Sequence, residues 1–371
     1  MIALIVALLA QAPDRSTPEK TYEAFSAFWS SLSNDAGDHW LKLSEDVESL
    51  GDGQQTVEFR ARAAKRRKDL RQMMDDSRVL SSKHAIAKKT EDEDGSVAID
   101  GVNNVRRRRR DLENQKVEEI DEALPNRIVL VKSGGLWLVR EIYRSCLMCG
   151  AKGVCANCEG TGAIGEEKCF ACEGQRSCKT CAGSKLVKED LGAAGMELTL
   201  ADAPKVSADL STPKAAAQAY ADLALLRTIR LSEGMQKFVD GVMAKFRLFI
   251  APDTLKTVED AVARTLEAGR ARAKEGGPKV ESVTEKGDVA HAVIVERGGE
   301  NARRQRVVFR KVGDKWLVDA EEHPCWCKEG KCGACEGAGV VEGEPCTGCA
   351  GTKVCATCKG QGWVDPADGN P

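Results

Sequence analysis

The cysteines are the residues in this sequence whose type and spacing could do chemistry. Sixteen of the 371 residues are cysteine, and they form two clusters of eight, each arranged as four close pairs. Two thiolates separated by two residues can reach one metal ion from a tight turn, and two such turns complete a closed tetrahedral shell of four sulfurs. Seven pairs have this CxxC spacing and one is a residue shorter. The pattern therefore predicts four structural sites, with Zn²⁺ as the metal.

The pairs follow the same order in both clusters. The first cluster contains Cys146 and Cys149, Cys155 and Cys158, Cys169 and Cys172, and Cys178 and Cys181. The second contains Cys325 and Cys327, Cys332 and Cys335, Cys346 and Cys349, and Cys355 and Cys358. In each cluster ten residues join the second pair to the third, at 159–168 and at 336–345. That length predicts an antiparallel hairpin between the two inner pairs.

Glycines extend three of the pairs into the longer motif CxxCxGxG, which occurs at 155–162, 332–339 and 355–362. Glycine after the second cysteine permits a positive φ, so that backbone N–H groups can turn toward the thiolates. This repeated motif resembles the cysteine-rich domain of DnaJ-type co-chaperones. The resemblance covers about 146–188 and 325–364, which is under a quarter of the chain.

The resemblance implies a nested pairing of the cysteines, in which the first and fourth pairs share one zinc ion and the second and third share another. By position, the four implied ligand sets are Cys146, Cys149, Cys178 and Cys181; Cys155, Cys158, Cys169 and Cys172; Cys325, Cys327, Cys355 and Cys358; and Cys332, Cys335, Cys346 and Cys349. In each cluster we call the first set the outer site and the second the inner site.

The sequence departs from the family motif at several positions. Ala151 stands where the first glycine is expected, and the pairs that begin at Cys169, Cys178 and Cys346 lack the final glycine. Cys325 and Cys327 are separated by one residue only, with His323 nearby as an alternative ligand, although we favour the cysteine set. The outer site of the second cluster is therefore the one whose ligands the resemblance fixes least well.

Two other chemistries use clustered cysteines. Iron–sulfur clusters have more compact ferredoxin-type spacings, and nested CxxC pairs with glycines favour zinc over them. Disulfides are the other alternative, and export from the cell would favour them. We favour zinc here too, because paired spacing serves a tetrahedral shell and the bound ion does not take part in redox chemistry.

Composition and charge exclude few functions but disfavour nucleic acid. The net charge is −2, and residues 145–190 carry six basic and six acidic side chains. Thiolate-rich sites add negative charge, so the attraction to phosphate that nucleic-acid binding needs is missing. Arg106–Arg110 is a run of five arginines, but acidic residues follow it at once, and we interpret it as a solvated strand edge or loop rather than an anion site.

The sequence outside the clusters repeats itself. Ser16-Thr17-Pro18 recurs as Ser211-Thr212-Pro213, and the strand-like run that leads to Trp137 recurs before Trp316. Threonine followed by proline predicts a helix start, with Thr17 and Thr212 as N-caps. Further helices are expected near 54–78 and 214–274, hairpins at 126–142 and 303–320, and strands near 279–286 and 288–297.

We therefore predict an α+β fold made by tandem duplication of a helix-then-antiparallel-sheet domain, each copy followed by a small hairpin zinc finger. Trp137 and Trp316 are expected to pack each sheet against its helices. The order of helices and hairpins resembles the nuclear-transport-factor and SnoaL-like α+β domains. The predicted boundaries are 1–12 for a signal peptide, 16–143 and 211–321 for the α+β domains, 144–190 and 322–365 for the fingers, 191–210 for a linker and 366–371 for a tail.

The N-terminus carries the only strongly apolar run. Its ten consecutive apolar residues are too few to span a bilayer but fit the core of a secretory signal peptide, with small residues at Ala10 and Ala12. We expect an exported protein, periplasmic or secreted, with no membrane span; a chain that kept this run as a buried strand would be cytoplasmic.

The DnaJ resemblance implies a module that binds unfolded or partner polypeptides. No His-Pro-Asp tripeptide occurs in the chain, so the resemblance does not extend to a J-domain, and no pair of catalytic residues stands out: His39, His84 and His291 are isolated. We expect a non-enzymatic zinc protein with a protein partner and no nucleic acid. A thiol–disulfide oxidoreductase and a purely structural zinc scaffold are the alternatives. The apolar finger residues, which are expected either to form a contact groove or to make up the small core of each finger, are Leu147, Met148, Ile164, Phe170, Trp326, Val340, Val341 and Trp363.

Overall fold

The computed structural model describes residues 12–111, 116–190, 198, 201–274, 276–296, 303–325, 327, 331–341, 344–347 and 349–364. Several sequence predictions concern residues outside these ranges: the apolar run at the N-terminus up to Gln11, most of 191–200, Trp326 and the tail from 365 onward. Across the part of the chain that is described, no helix has both the length and the apolar character needed to cross a membrane.

Within the described residues, four α-helices and two short 3₁₀ segments carry the helical content. The helices are α1 (Pro18–Glu48), α2 (Val57–Asp75), α3 (Pro213–Phe246) and α4 (Pro252–Lys274), and the 3₁₀ segments are Ser49–Gln54 and Leu147–Cys149. Thr17 caps α1, since its Oγ1 accepts the N–H of Lys20 at 3.3 Å. Thr212 caps α3 in the same way, accepting the N–H of Ala215 at 3.1 Å. Both predicted N-caps are confirmed, and the predicted helix over 214–274 consists of two helices.

The strands form two antiparallel five-stranded sheets and two small hairpins. The strands are β1 (Val79–Glu91), β2 (Val97–Arg110), β3 (Val117–Ser133), β4 (Leu136–Ser145), β5 (Ala163–Ile164), β6 (Glu167–Lys168), β7 (Leu186–Lys188), β8 (Lys279–Lys286), β9 (Val289–Val295), β10 (Arg304–Val312), β11 (Lys315–Pro324), β12 (Val340–Val341), β13 (Glu344–Pro345) and β14 (Trp363–Val364). The sheet orders are β1-β2-β3-β4-β7 and β8-β9-β10-β11-β14. This mixture of helices and antiparallel sheets confirms the α+β class.

The turns of the long hairpins lie where the sequence predicts them. Gly134 and Gly135 connect β3 to β4, with φ of 57° and 83°. Gly313, with φ of 63°, begins the connection from β10 to β11. Glycine suits these places because a tight hairpin turn requires positive φ.

The chain forms two compact units, and each is assembled from separated segments. Unit 1 takes Met1–Leu41, Arg71–Met196 and Met235–Glu267, and unit 2 takes Lys42–Leu70, Glu197–Gly234 and Ala268–Pro371. Each unit thus combines one sheet with helical segments from both the N-terminal and the C-terminal part of the chain. The ranges 16–143 and 211–321 remain predicted boundaries for the two copies of the duplicated α+β domain.

The core of unit 1 packs α1 and the adjoining parts of α3 and α4 on the first sheet. Tyr22 and Phe25 of α1 are fully buried beside Ile99 and Leu130 of the sheet. The segment between α3 and α4 joins β4 directly, because Val139 donates to Phe249 O and accepts from Ala251 N, both at 2.7 Å. Trp137 is partly buried and packs against this core.

The core of unit 2 has a matching arrangement. Phe309, Trp316 and Val318 of the second sheet pack with Tyr220 of α3 and Phe59 of α2. The segment that precedes α2 joins β11, where Thr56 N donates to Val318 O at 2.9 Å. Trp316 is 2% exposed and lies in the core, as the sequence predicts.

Candidate metal centres

Each cysteine cluster is held at the end of its sheet by two paired strands. In unit 1, β4 leads into Cys146, and the chain returns as β7, which pairs Tyr143 with Lys188 and Ser145 with Leu186. In unit 2, β11 leads into Cys325, and the chain returns as β14, which pairs with β11 at His323 and Pro324. Both ends of each cluster are therefore anchored on the strand from which it leaves, and the returning strand forms the edge of the sheet. We call the two clusters finger 1 and finger 2.

The sixteen cysteines assemble into four groups, and in each the four sulfurs lie within 4.8 Å of one another. The groups are Cys146, Cys149, Cys178 and Cys181; Cys155, Cys158, Cys169 and Cys172; Cys325, Cys327, Cys355 and Cys358; and Cys332, Cys335, Cys346 and Cys349. They coincide with the four ligand sets that the DnaJ resemblance implies. His323 is not a member of any group among the described residues, and it lies in β11 opposite Val364.

The sulfur separations fit a tetrahedral ion. A metal with bonds of about 2.3 Å to four sulfurs places any two of them about 3.8 Å apart. Cys155 and Cys169 are 3.8 Å apart, and Cys158 and Cys172 are 3.6 Å apart. In finger 2, Cys332 and Cys346, and likewise Cys335 and Cys349, are 3.7 Å apart. The four-cysteine groups can therefore each hold one metal ion, and all sixteen thiols are free of disulfides.

One backbone conformation recurs after the second cysteine of seven pairs. We call this cysteine and the four residues that follow it a knuckle. In the seven knuckles that the structure describes completely, the first, second and fourth residues after the cysteine all have positive φ. After Cys158 these residues are Glu159, Gly160 and Gly162, with φ of 49°, 84° and 84°. The ten non-glycine residues with positive φ among the described residues all belong to knuckles.

The conformation costs energy wherever the residue is not glycine, by about 1–2 kcal/mol each. Such strain persists only where the surrounding structure determines it, and it concentrates at functional sites. Ala151 is an example, because it holds φ of 59° at the place where other knuckles have glycine. The departure from the motif at Ala151 therefore leaves the knuckle geometry unchanged.

The knuckle directs a backbone N–H at the second sulfur. The N–H of Gly162 donates to Cys158 Sγ at 3.3 Å, and that of Gly153 donates to Cys149 Sγ at 3.4 Å. In finger 2, the N–H of Gly339 donates to Cys335 Sγ at 3.2 Å. Donors to sulfur favour the thiolate, which is the form that binds metal.

These donors oppose burial in setting the cysteine pKa values. Burial raises the pKa of Cys155 to about 11. Burial also disfavours charge on Cys158, but the backbone N–H groups of Gly162 and Gly160, together with the neighbouring thiols, lower its pKa to about 6. Cys335 has the same donors from Gly339 and Gly337, and its pKa is lowered to about 7. The backbone donors therefore favour the thiolate form of one cysteine in each inner site, and a divalent ion would deprotonate the remaining thiols.

Steric fit explains which knuckles end in glycine. A Cβ on Gly162 would lie 2.9 Å from Gly174 O and 3.1 Å from Arg176 Cγ, both in the facing knuckle of the same site. A Cβ added to Gly153 would likewise contact Gly183 O and Lys185 Cγ, and one added to Gly339 would contact Gly351 O and Lys353 Cγ. The missing final glycines in the pairs of Cys169, Cys178 and Cys346 are therefore compensated: one knuckle carries a basic residue, and the facing one carries the glycine that makes room for it.

The same positions bring a basic residue to three of the four sites. Four thiolates around a divalent ion leave a net negative charge, which a nearby lysine or arginine reduces. The cysteine and glycine pattern did not predict Arg176, Lys185 and Lys353 as site residues. The signal that could have found them is the regular placement of a basic residue four positions after the second cysteine.

The outer site of finger 2 is less enclosed than the other three. Cys325, Cys327 and Cys355 are half-buried, whereas all four cysteines of the outer site of finger 1 are buried. The sulfurs are nevertheless close, with 3.6 Å between Cys325 and Cys355 and 3.4 Å between Cys327 and Cys358.

The remaining sequence candidates lie away from the cysteines. Three members of the arginine run form ion pairs: Arg106 pairs with Glu119 at 2.9 Å, Arg107 with Glu122 at 2.8 Å, and Arg110 with the buried Asp76. The run lies in β2, which pairs with β1 on one side and with β3 on the other, so its interpretation as a strand edge or loop is wrong. The isolated histidines have structural surroundings. His39 stacks on Phe238, His291 lies in β9, and His84 contacts Ser30 and Ser82.

Comparisons with known proteins give little beyond this geometry. No protein-family model matches the chain, and no curated protein matches it. Among solved structures, it is similar to a chain described as an Ntf2-like protein involved in plasmid conjugation, with 9% identity, covering 73% of this chain and 91% of that one. The TM-score is 0.14, so this likeness carries no argument about the fold or the function.

Proposed function

We propose that this protein is a non-enzymatic, zinc-binding module that binds unfolded or partner polypeptides through its fingers. The observation that carries the proposal is the exposure of apolar side chains between the metal-site cysteines. Leu147, Met148 and Phe170 are 75%, 69% and 77% exposed, and Ile164 is 46% exposed. Exposed apolar side chains concentrated in one small domain are typical of interaction surfaces.

The construction of finger 1 explains why these side chains stay outside. Its buried interior consists of the two cysteine groups, with Val187 and Ala171 partly buried against them. A core of sulfurs around a metal has no room for a phenylalanine or a methionine. The apolar residues therefore have no interior to enter, and burial against an apolar polypeptide would stabilise them by about 25 cal/mol for each Å² removed from water.

Finger 2 offers a smaller surface of the same kind. Val340 and Val341 are 50% and 44% exposed. Trp363 is half-buried in β14, where the guanidinium of Arg306 lies 5.4 Å from its ring centre. We propose finger 1 as the principal contact surface, with finger 2 as a secondary one.

Zinc is the metal of this proposal, because a closed four-sulfur tetrahedral site is the structural zinc type. Burial of the thiols supports a non-enzymatic role over thiol–disulfide exchange. The cysteines of the two inner sites are at most 7% exposed, whereas an exchange catalyst needs an accessible thiolate. Metal analysis of the native protein tests this part: we expect about four zinc ions per chain and few titratable thiols.

The DnaJ-type identity of the fingers, the tandem duplication and export belong to the same proposal. The four cysteine groups and the recurring knuckle support the DnaJ-type identity of the fingers. The matching strand order of the two sheets, each closed by a strand that follows its finger, supports the duplication. The apolar N-terminal run in the sequence supports export, and N-terminal sequencing of protein from the periplasm or medium would test it. A chain that retains its first twelve residues inside the cell would contradict export.

A matched pair of variants tests polypeptide binding. The test variant combines Met148→Glu with Phe170→Glu, and the control combines Thr180→Glu with Ala156→Glu. Each control position lies between the cysteines of the facing pair in the same metal site and is also exposed. Both variants therefore add the same charge to the same two sites.

We expect native protein and the control to suppress aggregation of a chemically denatured client, and the test variant to lose most of this capacity at unchanged zinc content. Removal of zinc should abolish it in all three proteins. Absence of any suppression by the native, zinc-loaded protein at molar excess would rule out the proposal.

A further inference from the structure

Unit 1 contains a cavity between helix α1 and the first sheet, beside the finger surface to which polypeptide binding is assigned. Its volume is about 210 Å³. The walls are mostly apolar and include Phe25 and Trp29 of α1 with Ile128 and Ile142 of the sheet. Phe25, Ile128 and Ile142 belong to the core of the unit, so the walls are held rigidly.

A polar network lines one part of this cavity. Ser82 Oγ donates to Asn103 Oδ1 at 2.6 Å, and Asn103 Nδ2 donates to Ser30 Oγ at 3.3 Å. Both hydroxyls are near His84 Nε2, at 3.3 Å from Ser30 and 3.2 Å from Ser82. Ser30, His84 and Asn103 all line the cavity.

One atom of this network lacks a partner. His84 Nδ1 is buried and has no hydrogen-bond partner within the described part of the chain. If Ser30 donates to Nε2, Nδ1 carries the proton and needs an acceptor. If Nε2 donates to Ser82, Nδ1 needs a donor. His84 Nδ1 has almost no accessible surface, so a ligand in the cavity meets this network at the side chains that line it, Ser30, His84 and Asn103. A hydroxyl suits the network in either tautomer, because it both donates and accepts.

The size of the cavity limits what it can hold. An apolar cavity of about 150 Å³ accommodates one benzene molecule. The present cavity at 210 Å³ has room for one aromatic ring with a small polar substituent. Pockets for drug-sized ligands are larger, at about 300–1,000 Å³. Mostly apolar walls with a polar network along one part therefore match a phenol.

The cavity adjoins the finger surface. Leu147 lines the cavity, follows Cys146 directly and is 75% exposed. It also lies next to Met148 in the chain, so the cavity rim and the proposed polypeptide-binding surface share a residue. A polypeptide lying on finger 1 at Leu147 could place one side chain in the cavity.

From this continuity, and resting on the polypeptide binding proposed above, we propose that the cavity takes the side chain of a tyrosine in the bound polypeptide. The ring packs between Phe25, Trp29 and the sheet, and the phenolic hydroxyl bonds to the polar network of Ser30, His84 and Asn103. Tyrosine suits such a place because its ring is apolar and its hydroxyl needs a partner when buried.

The test uses the full zinc-loaded chain with p-cresol as the free equivalent of the side chain and toluene as its match without a hydroxyl. Calorimetry should show p-cresol binding about fivefold tighter than toluene, the ratio expected from one net hydrogen bond of about 1 kcal/mol. His84→Leu should remove this preference while keeping toluene binding. His291→Leu, a histidine in the second sheet, is the matched control and should leave the preference intact.

A second variant guards against misfolding of the first. Leu124→Trp, which fills the cavity from β3, should abolish binding of both probes while zinc content and circular dichroism stay unchanged. A short tyrosine-containing peptide should displace p-cresol, and its phenylalanine equivalent should do so about fivefold less well.

The outcomes separate this inference from the proposed function. If the protein suppresses client aggregation but binds neither p-cresol nor the peptide at the cavity, the tyrosine site is overturned and polypeptide binding stands. If p-cresol binds and the peptide does not displace it, the cavity serves free small molecules and the inference is likewise overturned. Displacement by the tyrosine peptide, lost in Leu124→Trp, supports it.

Discussion

The outer sites of the two fingers occupy the same place in their sheets and differ in how well the protein encloses them. Finger 1 presents two full CxxC pairs, and all four cysteines are buried. Finger 2 shortens its first pair to Cys325 and Cys327, and three of its four cysteines are half-buried. The inner sites show no such difference, since all eight of their cysteines are buried.

The comparison shows that a four-sulfur group and its protection from solvent are separable. The close approach of the sulfurs survives the loss of one residue in finger 2, but the burial does not. Exposed ligands let water and competing chelators reach the ion. We therefore expect the four sites to differ in metal retention, with the outer site of finger 2 as the weakest.

The largest effect should come from removing one ligand of each outer site. Cys149→Ala should release one zinc per chain and unfold finger 1, because binding to a structural site contributes about 10–16 kcal/mol. Cys327→Ala should also release one zinc but lower the melting temperature less, since its site is already partly open. Native mass spectrometry and calorimetric melting measure both quantities. Equal losses of melting temperature would show that burial does not distinguish the sites.

A smaller effect is expected in the kinetics of metal release. A chromogenic chelator should remove one zinc per chain ahead of the other three in native protein. The fast phase should be absent from Cys327→Ala and present in Cys149→Ala. A single phase for all four ions in native protein would contradict the difference between the outer sites.

Substitution of an inner-site glycine should lower the free energy of unfolding by the same amount in the two fingers. In Gly162→Ala and in Gly339→Ala, the new Cβ would lie 2.9 Å or less from an atom of the facing knuckle. The alanine would also have to adopt a positive φ. We expect each to lower the free energy of unfolding by about 2 kcal/mol or more, measured by urea titration. Gly165→Ala is the control: it also has positive φ but open space around it, and it should cost only about 1 kcal/mol. Equal costs at 162 and 165 would exclude the close approach of the knuckles.

The smallest effects concern the two capped helices. Thr17→Ala and Thr212→Ala remove matching N-caps of α1 and α3, and each should destabilise its unit by about 1 kcal/mol. Thr17→Ser and Thr212→Ser keep the hydroxyl and should retain most of the stability. If one of the two alanine substitutions leaves the stability of its unit unchanged, tertiary packing alone stabilises the start of that helix.

Much of the candidate site could be predicted because its information is local. The spacing of Cys155 and Cys158, and the glycines after them, determine a knuckle within eight residues of chain. The grouping of the cysteines followed from resemblance to a known arrangement of pairs, and the structure brings together the same sets. The N-caps Thr17 and Thr212 were equally local, as were the glycine turns of the hairpins.

Other features depended on residues far apart in the sequence. The cavity beside His84 needs Ser30 from α1, Asn103 from β2 and Leu147 from finger 1, and no sequence pattern relates these positions. The pairing of Gly162 with Arg176 is a contact across a site, visible only once two knuckles face each other. The exposure of Leu147 and Phe170 was also undecided, because an apolar residue in a small domain can enter a core or stay outside.

The sequence by itself determined the division of the sixteen cysteines into pairs, the N-caps Thr17 and Thr212 and the glycine turns of two hairpins, because each depends on the conformational preferences of neighbouring residues. Only the tertiary structure decided which helical segments cover which sheet. Phe249 joins β4 and Thr56 joins β11 across about 110 and 260 residues of chain respectively, through backbone hydrogen bonds that are open to almost any sequence. It also decided which cysteines are enclosed, since burial depends on everything that packs around a site.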